Sequence, residues 1–184
     1  MVIKSFFRIL NSCAMQSGLY AGLFSIIGFL CFCHSFDYAF CNNVFVIVVL
    51  FIPFLVGYFT YRFRSTYLTG ESRVFSKLYL HSLMTYLYSG ILLSAAVYVY
   101  FLYFDKGVFF DSYLTFLDRP DVKELLSKSV TVDSGMDIET LKETIEHLGH
   151  MDVSVYAFSV LYMNIMNGSI ASILIALVCY IIKR

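Results

Sequence analysis

The chain is predicted to be all-α: an integral membrane four-helix transmembrane bundle with an extracytoplasmic helical hairpin between spans three and four. Three observations predict this. Residues 9–36, 38–61, 78–104 and 153–182 contain no Asp, Glu, Lys or Arg over 28, 24, 27 and 30 positions. A helix rises about 1.5 Å per residue and needs roughly 20 apolar residues to cross about 30 Å of hydrocarbon, so each stretch is long enough. The 184 residues are 59% hydrophobic and 14% charged, more apolar surface than a soluble domain of this length can bury, so lipid must solvate the excess. Finally, the charges fall between the spans, and they fall unevenly. Residues 1–184 are expected to form a single membrane domain, with spans at about 13–33, 44–61, 78–104 and 154–182 and a hairpin at about 105–152.

The charge distribution predicts the orientation. Lys4, Arg8, Arg62, Arg64, Arg73, Lys77, Lys183 and Arg184 share one side with a single acid, Glu71. The other side carries Asp37 and the segment 105–152, in which eleven acids outnumber five basic residues. Short Lys/Arg-rich links stay cytoplasmic, which predicts both termini inside and the acidic segment outside. Lys4 and Arg8 before an apolar run also suit a signal peptide. The run lacks an A-x-A-like exit, and Leu30 is bulky where a lipoprotein signal before Cys31 keeps a small residue, so the segment is expected to remain as span one.

Span one carries Ala14, Gly18 and Gly22, with Ser25 and Gly28 nearby; span three carries Ser89, Gly90, Ser94 and Ala95; span four carries Gly168, Ser172 and Ala176. Small residues at this spacing let helix backbones approach where the hydrophobic effect cannot drive association. Gly18, Gly22, Gly90 and Gly168 are therefore the expected packing positions, within the bundle or across a homodimer. Span two is nearly all Val, Ile, Leu and Phe from Val44 to Phe59, with Pro53 and Gly57 inside it, and is expected to face lipid with a kink near its middle. Tyr98, Tyr100 and Tyr103 at one boundary and Tyr58, Tyr61 and Tyr67 at the other are expected interfacial anchors.

Polar groups inside the spans are the candidate functional residues, because each is expensive there. Asn164 and Asn167 lie three apart on one helix face, with Ser169 close by. They suit either hydrogen-bonded contact between helices or a small polar path. His81, about a turn beyond Lys77, is expected at the headgroup level. The Asn167-Gly168-Ser169 sequon is expected to be unreadable within a span. Cys33 and Cys41 flank the short turn between spans one and two, either bridged or as free packed thiols. His147 and His150 beside Asp152 suit a zinc site or a solvated helix end. No nucleotide-binding, hydrolase or metalloprotease motif is present, and no charged residue lies in the spans. That demotes active transport and predicts no catalytic, cofactor-binding or metal residue.

In the outer segment, Pro120 with Asp121 reads as a helix start. Asp137 reads as the N-cap of a second helix with an apolar face of Ile138, Leu141, Ile145 and Leu148, closed by Gly149. A turn at Thr131–Gly135 would make the pair an αα-hairpin.

The order of elements carries a family resemblance. An apolar first hairpin, then Tyr61-Arg62-Phe63-Arg64 with Gly70 and Phe75 before span three, then Asp118-Arg119-Pro120-Asp121, a 137–149 helix, and a final span ending Ile173-Leu174-Ile175-Ala176-Leu177 before a basic tail, resembles the bacteroidete four-span membrane proteins grouped as domain of unknown function 4199. The chain departs from the family's pattern where Arg119 separates acid from proline. The resemblance implies a bacterial inner (cytoplasmic) membrane location with a periplasmic hairpin, and implies no activity. The expectation is a non-enzymatic scaffold or accessory subunit with no cofactor. Its partners would be the lipid bilayer, a membrane or periplasmic protein, or a second copy, and not nucleic acid. A small passive channel at Asn164 and Asn167 is the alternative, and a membrane enzyme ranks behind both.

Overall fold

Each charge-free stretch forms a helix longer than itself or nearly so. The computed structural model describes residues 2–36, 38–68, 74–129 and 138–182. Helix α1 spans Val2–Cys33, α2 Ala39–Tyr67, α3 Val74–Val99 and α7 Val153–Ile181, with α4 at Val108–Leu117, α5 at Pro120–Ser129 and α6 at Ile138–Gly149 between them. The four long helices are each apolar and long enough to cross a membrane. The start of α1, the end of α2, the start of α3 and the end of α7 lie at one end of the bundle, here the termini end; α4, α5 and α6 lie at the other, the hairpin end.

Helix α3 is central, packed along α1 on one side and α7 on the other, with α2 on the outside against α1. Glycines set the closest approaches. A Cβ added to Gly18 would lie 2.5 Å from Tyr88 Cβ and 2.9 Å from the Thr85 carbonyl oxygen, and one on Gly168 would lie 2.6 Å from Tyr86 Cβ. Neither neighbour can swing away, because both contacts are at or next to backbone. Gly22 approaches Leu92 and Gly90 approaches Asn164 in the same manner. Ser82 and Ser172 join α3 to α7 at 3.0 Å, and Ser94 donates to the Ala157 carbonyl at 2.8 Å.

Helix α2 runs unbroken through Pro53. Val48, Val56, Thr60 and Phe63 are its buried residues, while Val46, Ile47, Leu50, Phe51, Phe54 and Tyr58 face outward. Its termini end is tied to α7, where the Arg64 guanidinium donates to the Cys179 carbonyl and lies over the Tyr180 ring. That carbonyl belongs to the last turn of α7, and the carbonyl end of a helix favours a cation.

The outer segment holds one more helix than its sequence signals suggest. The third span ends in a π-helical turn, Tyr100–Asp105, and the chain reverses at Lys106 and Gly107, which have φ of 48° and 92°. Asp105, 4% exposed, accepts hydrogen bonds from the backbone N–H groups of Gly107 at 3.1 Å and Phe109 at 2.9 Å, capping α4. Helix α4 escaped the sequence signals because its cap comes from the end of the preceding span rather than from a residue at its own N-cap. Both α5 and α6 pack on α4. The Asp118 carboxylate after α4 receives Lys123 of α5 at 2.8 Å and Lys142 of α6 at 2.6 Å. These two ammonium groups hold its carboxyl down to about 2. The expected Thr131–Gly135 turn and Asp137 cap lie outside the described residues. Asp152 caps α7, accepting from the Ser154 N–H at 2.8 Å and its hydroxyl at 2.5 Å, and these bonds keep its carboxyl below the ordinary range.

Candidate functional site

The two ends of the bundle are filled differently along its interior. In the termini half, Leu10, Val56, Thr60, Leu78, His81 and Ala176 are at most 1% exposed and meet on the bundle axis. His81, about a turn beyond Lys77 and level with Thr60 and Phe63, does not face water. It is fully buried, its ring stacked on Phe63 at 4.4 Å and its Nδ1 paired with the Thr60 hydroxyl at 3.2 Å. Helix α2 covers it, so a residue near the end of a span is removed from water by a neighbouring helix. Nε2 has no hydrogen-bond partner among the described residues.

The hairpin half is open inside. A cavity of about 310 Å³ lies between all four spans, bounded by Ser25, Gly28, Phe45, Val97, Val160 and Asn164. A roof of aromatic rings closes it toward the hairpin. Phe101 packs on Phe109, Phe110 and Tyr156, and Phe32 packs on Phe45 and Phe109. Phe36, in the α1–α2 turn, packs on Tyr113 and Phe116 of α4. A second recess of about 600 Å³ runs between α2 and α7 past Ile52, Pro53, Met163, Asn164 and Asn167, and shares Phe45, Val49 and Asn164 with the first.

Asn164 and Asn167 therefore line one cleft, as their spacing suggests, but their surroundings differ. Asn167 is exposed on the bundle surface, whereas Asn164 is half-buried, with Oδ1 enclosed and without a hydrogen-bond partner among the described residues. Ser169 does not line the cleft; its hydroxyl turns back to the Ile165 carbonyl of its own helix at 2.7 Å. Tyr86 Oη and Ser89 Oγ, close together on α3, are also enclosed without partners among the described residues. Ser89 was marked in the sequence as a small packing residue of span three, whereas Tyr86 was not singled out, and only its place in a charge-free span could have marked it.

Two further recesses open on the outer surface of the termini half. One, of about 430 Å³, lies between α2 and α7 around Gly57, Tyr58, Tyr61 and Val178. The other, of about 360 Å³, lies between α1 and α2 and is the polar one, with Gln16, Arg62, Thr66 and Tyr67 on its walls. The cysteines are all free. Cys41 neighbours Cys31, and Cys33 is buried near Tyr100. His147 and His150 are exposed on and just after α6, and among the described residues no three His, Cys, Asp or Glu side chains gather as metal ligands.

Four membrane-length helices joined by short helices at one end, with recesses in place of a charged intramembrane site, define a multi-pass α-helical membrane protein. Residues 16–180 match the family described as Protein of unknown function (DUF4199), and the chain belongs to that family. No curated protein and no solved structure matches it.

Proposed function

We propose that the protein is a non-enzymatic scaffold or accessory subunit of the bacterial inner (cytoplasmic) membrane, with both termini cytoplasmic and the α4–α6 segment periplasmic. The observation that carries the reading is the recess at Gly57. Other membrane glycines, including Gly18 and Gly168, are pressed against a neighbouring helix, but a Cβ added to Gly57 would meet nothing within 4 Å. A glycine with open space before it, flanked by exposed Phe54, Tyr58 and Leu174, leaves a notch that a side chain of another transmembrane helix can fill. The outward face of α2 is otherwise bulky and apolar, so the notch gives one place for register-specific contact.

The passive-channel reading finds less support. Asn164 and Asn167 line a mostly apolar cleft at the side of the bundle, and the axis beyond them is occupied by Val56, Leu78, His81 and Ala176. A packed core of this kind leaves no wet path.

Photo-crosslinking from Phe54 in native membranes tests the subunit reading. The expected product is a discrete adduct with a second membrane protein or a second copy, lost in Gly57→Leu while the variant keeps the wild-type melting temperature. An adduct pattern unchanged by Gly57→Leu would remove the notch from any interface. Orientation is tested separately: a reporter after Arg184 should sit in the cytoplasm, and one near residue 132 in the periplasm.

A further inference from the structure

We propose that the recess between α1 and α2 at the termini end binds the phosphate headgroup of an anionic membrane lipid. It lies at the right depth. Arg62 is the first charge after the run 38–61, so it stands where hydrocarbon gives way to headgroups, and the recess reaches from Arg62 and Thr66 up to Tyr20 and Phe59.

The charge is available. Arg62 is exposed and makes no ion pair or hydrogen bond among the described residues, whereas Arg64, two positions on, is occupied by the Cys179 carbonyl. Among the described residues no carboxylate lines the recess. The guanidinium fork matches two phosphate oxygens at once, and a basic pocket between transmembrane helices is a physical basis for headgroup binding. Thr66 adds a hydroxyl donor beside it. The Tyr67 hydroxyl, beside Cys13, forms the polar lip.

The recess is graded along its length, and the gradient selects a lipid over a soluble anion. Its mouth is polar, but its far wall is the stacked pair Tyr20 and Phe59, with centroids 6.0 Å apart, and Tyr20 is 60% exposed toward the surrounding bilayer. A free phosphate would use the mouth alone. A phospholipid places its phosphate at Arg62 and runs an acyl chain along the aromatic wall into the hydrocarbon, so one molecule fits both parts.

The test is lipid binding to the full-length protein in neutral detergent, followed by native mass spectrometry and thermal melting. Phosphatidylglycerol should bind saturably and raise the melting temperature, with phosphatidylcholine and glycerol phosphate giving neither effect. Arg62→Gln should weaken phosphatidylglycerol by at least about tenfold, the size expected for a lost charge-assisted hydrogen bond. Arg8→Gln removes the same charge outside the recess and should change affinity by less than about threefold, the residual expected for screened surface charge. Equal losses in the two variants would mean general attraction to a basic surface and would overturn the site. Equal binding of phosphatidylcholine, or equal stabilisation by glycerol phosphate, would overturn it as well. Should Arg62→Gln fail to fold, Thr66→Val keeps the charge; several-fold weakening supports the site and unchanged affinity refutes it.

Discussion

The termini half and the hairpin half of the bundle are built from the same four helices, yet the first has a packed interior with recesses only between pairs of helices, while the second holds a cavity among all four. In the termini half, α2 is held to α7 by Arg64 and to α3 by the Thr60–His81 pair. In the hairpin half, α2 presents Phe45, Val49 and Ile52 toward Val160 and Met163 of α7, and the two helices part around a cleft. Lipid tails are as apolar as these side chains, so no hydrophobic penalty closes such a gap. Helices in a bilayer stay together where glycine allows backbone contact or where polar groups pair, and α2 has those devices mainly toward its termini end. The cost of the hollow is forfeited dispersion contact, and the aromatic roof limits it.

The comparison can be broken most severely at the glycines. Gly18→Leu and Gly168→Leu should each destabilise the bundle by more than about 3 kcal/mol, beyond the usual range for overpacking, because the facing atoms are at backbone or Cβ. Thermal unfolding in detergent measures this. Gly57→Leu, in open space, should melt like the wild type, and a large loss there would show that the notch is filled within the bundle.

Next in size is the α2–α7 tie. Arg64→Ala leaves the last turn of α7 without its charged donor and should cost about 1.5–3 kcal/mol, the range for hydrogen bonds to charged groups. Trypsin nicking near the C-terminus should accelerate in step. An unaltered melt and unaltered nicking would mean that α7 holds the termini half without α2.

A matched pair sharpens the contrast between the halves. Val56 and Val97 are 0% and 1% exposed, but Val97 borders the hairpin-half cavity and Val56 does not. Val56→Leu should cost about 1–3 kcal/mol, while Val97→Leu should fall within about 0.5 kcal/mol of wild type because the cavity accepts the extra methylene. Equal costs would show that the cavity is already filled or collapsed.

The smallest effect concerns the hairpin alone. Lys123 and Lys142 hold the exposed Asp118 carboxyl at about 2, against an ordinary 3.8. A carboxyl depressed on folding contributes fully above its unfolded value, and that contribution fades as pH falls through the folded one. Spin labels at Thr115 and Thr144 should therefore separate between about pH 4 and pH 2, with the four spans unaffected. Asp118→Asn should show the looser distance already at neutral pH. A wild-type distance that is constant down to pH 2 would remove Asp118 as the clasp.

Sequence legibility followed the range of the interaction. Four spans and the starts of α5 and α6 were readable, because charge-free length, Pro120 and amphipathic spacing are local properties of the chain. Gly18 and Gly168 were visible as small residues, but not the residues they face. Asn164 and Asn167 were visible as a pair, yet only the assembled bundle encloses one and exposes the other. Helix α4 was missed because its cap, Asp105, belongs to the preceding element.

By itself, then, the sequence determined that the chain spans a bilayer four times and which residues are small or polar within it, since hydrophobic length and spacing act within one helix. The tertiary structure decided that His81 lies in the core, that Arg64 is occupied while Arg62 faces an open recess, and that one half of the bundle is hollow. Those outcomes depend on which helix covers which, and in a membrane that choice rests on shape and pairing between residues far apart in the chain.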